Sequence, residues 1–327
     1  MSNKVKLSFN GYWVDCQANH RDVAKVVSNS IYHKFNGWPG VNKDKIDAQL
    51  SSDVIASMAN TDIHILKCGS EPIGLIGVSN LDWDSKFFGF NCSKVSHLYF
   101  DSIFIDKNYY RAKREFVSNA INSFCYRDKF ILADISSNDS ESNLLMQENG
   151  FKYVLSWIDG FYQGERFHVD LPAGHHIGAC TDTDLEILVE ITRDSYFMGG
   201  RFYMDPMFST YDIGDIYNSL IINSFGKDEI FVYRISDRPV GFFISVVSPQ
   251  SSYLGLRRSV IRFIVVDQKH RGKGIATILF KSFTNYLLGL SDIVTTGLEV
   301  HNIPSLNLHA KLGFSFNYVH NAYHRWQ

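Results

Sequence analysis

Six residues, Arg271-Gly272-Lys273-Gly274-Ile275-Ala276, follow the apolar run Ile261-Arg262-Phe263-Ile264-Val265-Val266 and open a segment with helical apolar spacing. Two glycines between a strand and a helix let the backbone come close to a bulky anion. Consecutive amide N–H groups then point inward, and the helix adds the positive end of its dipole. The predicted chemistry is capture of a pyrophosphate. The competing reading of so short a string is an ordinary strand-to-helix turn. The glycine spacing of a dinucleotide-binding loop is absent, and no Gly-Lys-Ser/Thr ending marks a nucleoside-triphosphate loop.

The elements that must position this loop repeat along the chain. Ile63 to Val78 (IHILKCGSEPIGLIGV) and Ile230 to Val246 (IFVYRISDRPVGFFISV) both read as hairpins, and Pro72-Ile73-Gly74 corresponds to Pro239-Val240-Gly241. Each half continues with a strand, a long amphipathic helix, a strand ending in Asn, a short helix and Gly-Phe. In the first half these are Tyr99 to Ile105, Arg111 to Tyr126, Phe130 to Asn138 and Leu144 to Phe151. In the second they are Val260 to Val266, Ile275 to Leu288, Ile293 to Asn302 and Leu308 to Phe314. The helix after the loop carries Ile275, Leu279, Phe283 and Leu287 on one stripe, with Gly289 as its stop. A linker is expected at His168 to Gly174. It divides the chain into 1–171 and 172–327, and Ile177 to Ala179 followed by Thr181 to Leu188 restarts the pattern as a strand and a capped helix.

The halves differ where chemistry would be done. The first carries Asp106-Lys107-Asn108-Tyr109-Tyr110-Arg111-Ala112, without a glycine, so only the second is expected to bind a cofactor; Met146 stands where the second half has His309. The 327 residues, 45% hydrophobic and 14% aromatic, suffice for two packed domains. Lys and Arg number 32 against 34 Asp and Glu, with no basic run, which excludes nucleic acid or an anionic membrane as a partner chosen by bulk charge. The five scattered cysteines and the lack of an apolar leader or long apolar run lead to the expectation of a cytoplasmic protein. No His-Glu-x-x-His or Cys/His cluster of zinc spacing is present, so no metal is expected.

Read as Arg/Gln-x-x-Gly-x-Gly/Ala after a strand, the loop resembles the acyl-CoA signature of the GCN5-related N-acetyltransferase (GNAT) superfamily. The resemblance implies an α/β fold of two tandem GNAT-like domains. Each is a mixed, mostly antiparallel sheet flanked by helices, and the N-terminal one is degenerate. Acyl-CoA would be held by Ile264, Val265, Val266, Arg271, Gly272, Lys273, Gly274, Ile275, Ala276 and Asn302. A backbone N–H near Val265 or Val266, exposed by splayed strands, would meet the oxyanion. The superfamily commonly has a Tyr five residues before the Gly-Phe phenylalanine, which protonates the departing thiolate. His309 stands there, and as acid or base it is the expected catalytic residue; the alternative is a helix histidine that packs under the cofactor arm. Asn302 equally starts the next helix, while Glu299 and His301 are open to a proton relay or a solvated strand edge.

Three further stretches resemble two-domain nucleotide-sugar N-acyltransferases of the bacterial dTDP-fucosamine acetyltransferase type: Leu81 to Gly89 (LDWDSKFFG), Ser195 to Asp205 (SYFMGGRFYMD) with Pro206 and Tyr217, and Asn321 to Trp326 (NAYHRW). This resemblance implies a dTDP-linked amino-deoxysugar acceptor and a place in surface polysaccharide synthesis. Arg201, Phe202, Tyr203 and Asp205 would bind it, the aromatic faces stacking on the base and the forked cation on the diphosphate. The bland alternatives are an Arg201–Asp205 ion pair and core roles for Phe87 and Phe88. Two other functions fit the same loop: acetylation of another small amine or a peptide, and acyl-CoA sensing without catalysis. Exposed strand edges in such folds favour a homodimer.

Overall fold

The computed structural model describes residues 4–7, 11–31, 34–125, 127–194, 200–251 and 253–327. Tyr126, at the expected end of one helix, and residues 195–199 of the expected acceptor segment lie outside the described residues. The chain divides into two compact units, Met1–Ser156 with Tyr318–Gln327, and Trp157–Asn317.

Unit 1 contains β1 (Lys4–Lys6), β2 (Tyr12–Asp15), α1 (His20–Ser28), α2 (Lys43–Ser57), β3 (Thr61–Cys68), β4 (Glu71–Asn80), α3 (Asp82–Phe88), β5 (Cys92–Phe100), α4 (Tyr109–Cys125), β6 (Phe130–Ser136), α5 (Ser140–Glu148) and the start of β7 (Lys152–Tyr162). Unit 2 takes the rest of β7 and then β8 (His175–Ala179), α6 (Leu185–Asp194), α7 (Arg201–Met204), α8 (Ile213–Ser224), β9 (Glu229–Ile235), β10 (Arg238–Val247), β11 (Arg258–Val266), α9 (Ile275–Leu287), β12 (Ile293–Glu299) and α10 (Ile303–Lys311). The last strand, β13 (Ser315–Trp326), begins in unit 2 and ends in unit 1. No helix among the described residues is long and apolar enough to cross a membrane.

The expected hairpins are β3–β4 and β9–β10, with Ile63 opposite Gly77 and Ile230 opposite Ile244. In each, the register slips where Pro72 or Pro239 withholds an N–H from the ladder. The glycine two residues on is needed for space. A Cβ at Gly74 would meet Phe100 at 2.8 Å, and one at Gly241 would meet the Val265 carbonyl at 2.9 Å.

The parallel pairs repeat as well. Cys92–Val95 pair with Phe130–Ala133, and Arg258–Ile261 with Ile293–Thr296. Beyond those four residues no pairing joins either couple among the described residues, while β5 and β11 stay laddered to β4 and β10 through Phe100 and Val266. Each couple therefore opens into a wedge.

The strand expected at Tyr99 to Ile105 lies earlier, at Cys92–Phe100. Asp101 ends it, because its carboxylate accepts the amides of Ile103 and Phe104 at 2.8 and 3.0 Å and turns the chain. The break expected near residue 172 also differs from the observed division, which falls inside β7 and again inside β13. In unit 2, Trp157–Tyr162 of β7 pair with β12; in unit 1, His320–Trp326 of β13 pair with β6. The final strand of each repeat is thus traded, a non-local choice that local patterning does not encode.

In unit 2, α9 lays Ile275, Leu279, Phe280, Phe283 and Leu287 against Phe243, Ile261 and Val294 on one face of the sheet. On the other, Leu188 and Ile191 of α6 and Ile221 of α8 cover Val232, Phe242, Ile244, Phe263 and Val265. Each fully buried side chain of this size contributes roughly 1.5–3 kcal/mol.

Tyr323 anchors the traded strand in unit 1. It is 2% exposed, and its hydroxyl donates to Asn143 Oδ1 at 2.7 Å, an oxygen that also accepts from Asn321 at 2.8 Å. Tyr323→Ala is expected to destabilise unit 1 by about 3–5 kcal/mol through the cavity. Tyr323→Phe, which leaves Asn321 on Asn143, should cost only about 1 kcal/mol. Denaturant unfolding of the two variants checks the ratio.

Candidate active site

The glycine loop is built as a latch. Asp267 N–H donates to Val240 O at 2.9 Å, and the Asp267 carboxylate caps the turn Gln268–His270 through Lys269 N–H at 3.0 Å. Arg271 Nε reaches back to Val266 O at 3.1 Å and Lys273 Nζ to Lys269 O at 3.1 Å. Both cations therefore brace the loop. Gly272 and Gly274 have φ of 74° and 80°, which side-chain-bearing residues rarely adopt, and a Cβ on either would meet nothing within 4 Å. The requirement is conformational, and the space beside it is open. Among the described residues no carbonyl accepts from the amides of Gly272 to Thr277, and Gly274 caps α9 without a side-chain acceptor. Donors left open in this way at a helix N-terminus suit an anion.

Ile264, Val265 and Val266 run along the edge of β11 that β12 has left, and Val265 and Val266 pair on the far side with Phe242 and Gly241. The N–H groups of β11 that face the wedge are open to a ligand, while the Val266 carbonyl on that side already accepts from Arg271.

His309 sits elsewhere. It is 1% exposed, with its ring edge-on to Phe280 and Phe314 at centroid distances of 4.6 and 5.1 Å. Nδ1 lies 2.8 Å from Ser305 O and Nε2 3.4 Å from Thr296 Oγ1, so the neutral tautomer with N–H on Nδ1 satisfies both nitrogens. Burial lowers its pKa to about 4, against the opposing pull of the Ser305 carbonyl. This is the environment of a packing histidine.

Strand alternation sends Glu299 to the other face of β12 from Thr296. Burial raises the Glu299 carboxyl, and bonds from its own backbone N–H and from Asn302, together with His301, partly offset this. Asn302 caps α10 by accepting from Ser305 N–H at 3.3 Å, so both ends of its amide are used. His301 is exposed.

The acceptor residues separate by role. Phe202 is buried against Phe208 at 5.0 Å, and Asp205 is buried, capping the turn Pro206–Phe208 through Met207 N–H at 3.0 Å. Arg201 lies over the Phe202 ring at 4.6 Å, and Tyr203 is 44% exposed. Sequence reasoning missed the convergence on Tyr217. Its ring stacks on Phe263 at 5.6 Å, and burial and then Glu299 push its pKa up to about 12 while Arg201 opposes them. Tyr217, Glu299 and Arg201 thus share one electrostatic neighbourhood, a tertiary fact that their spacing in the chain conceals.

In unit 1 the equivalent turn is filled from within. Asp101 N–H donates to Ile73 O at 2.9 Å, as Asp267 does to Val240. Unit 1 has Asp106 and Asn108 at the places of Gly272 and Gly274, and Tyr109, at the place of Ile275, sets its hydroxyl onto the carbonyls of Ile73 and Asp101, at 2.5 and 3.1 Å. Lys113 lies 3.9 Å over the Tyr109 ring and pairs with Glu141.

A duplicated mixed sheet, helices on both faces, a wedge between parallel strands and a glycine latch define a tandem GNAT fold. Residues 186–314, a stretch within unit 2, match the acetyltransferase (GNAT) family model. The whole fold resembles a GCN5-related N-acetyltransferase from Sphaerobacter thermophilus, with a TM-score of 0.64 and 10% identity over 97% of this chain and 96% of that one. A tandem GNAT protein from the clavulanic acid biosynthesis pathway matches with a TM-score of 0.55 and 12% identity over 84% and 87% of the two chains. In sequence, the chain is 22% identical over 200 residues to the spore coat polysaccharide biosynthesis protein SpsD of Bacillus subtilis (strain 168), covering 60% of this chain and 66% of that protein.

The lowered pKa of His309 has a stability consequence. Between about 4 and its ordinary 6.5 the unfolded chain binds the proton that the folded chain refuses, so stability is complete above 6.5 and falls as pH drops towards 4. The loss attributable to this side chain is up to about 3 kcal/mol, at about 1.4 kcal/mol per pH unit. Unfolding free energies measured across that window should show a slope that His309→Phe flattens.

Proposed function

We propose that this chain transfers an acyl group from acyl-coenzyme A to the amine of a dTDP-linked amino-deoxysugar. The observation that carries the reading is the row of unsatisfied amides from Gly272 to Thr277 at the head of α9, beside the unpaired edge of β11. That row suits the pyrophosphate of coenzyme A, and the edge suits an amide-bearing arm laid along it as an added strand.

An amine reaches the site protonated and must lose a proton before it attacks. Glu299 is the group suited to take it: its carboxyl is raised by burial and lies at the open end of the wedge. N–H groups on the free edge of β11 meet the charge that develops on the thioester oxygen. A thiolate with an ordinary pKa of about 8.5 is protonated by solvent at pH 7, so departure requires no dedicated acid. His309 supports the fold beneath this chemistry.

For the acceptor, Arg201 offers a forked cation and Tyr203 an exposed aromatic face, a pair suited to a diphosphate and a base. The polysaccharide role in the name of the SpsD relative is in keeping with a sugar acceptor. Incubation with acetyl-CoA and longer acyl-CoAs against a panel of dTDP-amino sugars tests the reading by release of free thiol. No release with any pair overturns it, and tight acyl-CoA binding without turnover on any amine would make the chain a sensor.

Glu299→Gln should lower kcat/KM by about 100- to 10,000-fold. It should also remove the acid limb of the pH profile, where a raised carboxylate becomes protonated as pH falls. Gly274→Val, strained at a φ of 80°, should instead raise the KM for acyl-CoA, by about tenfold or more.

A further inference from the structure

Unit 1 has closed its cofactor face with Tyr109, yet its opposite face is more polar than the same face of unit 2. The two sheets can be matched residue by residue, because Gly74 faces Phe100 as Gly241 faces Val266 and both ladders slip once at the same distance from that pair. In unit 2 the residues turned towards α6 and α8 are Phe242, Ile244, Phe263 and Val265, all within one apolar cluster. Their matches in unit 1 are Leu75, Gly77, His97 and Tyr99. Gly77 leaves room for the histidine, since a Cβ there would meet His97 Cδ2 at 3.0 Å.

The helix over this face is polar to match. Gln49, Asp53 and Ser57 recur every fourth residue along α2 and so share one side. Ser57 Oγ lies 2.9 Å from His97 Nε2, and Asp53 accepts from Gln49 Nε2 at 2.6 Å. Asp53 also lies within electrostatic reach of the Tyr99 hydroxyl, which burial, Tyr318 and Asp53 keep protonated. His97 is held neutral, its pKa lowered to about 4 by burial and by Lys34 and Lys94. All five side chains are half-buried. The helix buries Ile46, Leu50 and Val54, and this polar row flanks that stripe at half-burial, where polar groups cost stability unless they are bonded.

The group they compose is a mixed set of donors and acceptors with a single carboxylate. Lys94 pairs with Asp134 at 2.6 Å and Lys34 lies over the Phe35 ring at 4.9 Å, so both nearby cations are already engaged and a phosphate is poorly served. A ring bearing several hydroxyls, or hydroxyls and an amine, matches the set. We propose that the α2–β5 face of unit 1 binds the pyranose ring of a sugar. The proposal rests on unit 1 alone and stands whether or not unit 2 transfers an acyl group.

Saturation-transfer NMR on the full chain, with methyl α-D-glucopyranoside, D-glucosamine and N-acetyl-D-glucosamine at millimolar concentration and no coenzyme, tests it. At least one ring should receive saturation. The signal should disappear in His97→Phe/Tyr99→Val, which installs the residues that unit 2 carries, and persist in Gly274→Val. Asp53→Asn should weaken binding by about tenfold. No transfer to any of the three rings in the folded wild-type chain overturns the proposal. So does transfer that survives the double substitution, which would put the ring elsewhere. Where circular dichroism shows that the double variant has not folded, Asp53→Asn and Ser57→Ala decide, and unchanged affinity in both overturns it.

Discussion

Backbone donors that the fold itself leaves unsatisfied govern this molecule. An N–H with no acceptor in the protein bonds water or a ligand, so a fold that holds a row of them in one direction offers that row to an anion. Unit 2 creates such a row twice, by parting β11 from β12 after four paired residues and by entering α9 through two glycines in the left-handed region. The latch formed by Asp267, Arg271 and Lys273 holds those amides in place before anything binds. Preorganisation of this kind is what lets neutral amides compete with water for a pyrophosphate.

The same constraint explains what happened to the other repeat. Its strands part in the same register, but its turn carries Asp106 and Asn108 in place of the two glycines and Tyr109 in place of Ile275. The phenol bonds two carbonyls of the turn, and Lys113 stacks over its ring. One copy leaves its donors for a ligand, and the other closes the place with its own side chains.

Much of this was legible in the sequence because it is local. The hairpins follow from alternation around a two-residue turn, the latch from glycines between strand and helix, and the repeat from the recurrence of Pro-x-Gly. Arg201, Phe202, Tyr203 and Asp205 were found as a string, but one string cannot say that Phe202 and Asp205 face inward as anchor and cap. The trade of β7 and β13 was hidden, since either terminal strand suits either sheet by pattern and only pairing distinguishes them. So was the meeting of Tyr217 with Glu299, which depends on the stacking of α8 on the sheet.

His309 shows how a position and its surroundings can point to different roles. Its place before Gly-Phe recommended it as the proton carrier. An imidazole there, though, is wedged between Phe280 and Phe314, with one nitrogen on its own helix and the other on β12. Protonating it would require a charge with almost no solvent contact, which is why its pKa falls to about 4. Burial acts on Glu299 with the opposite sense for reactivity. Desolvation brings a carboxylate up towards the range in which it can take a proton from an ammonium, whereas it takes a histidine out of that range. The same low-polarity interior thus makes the imidazole on one face of β12 less basic and the carboxylate on the other more so.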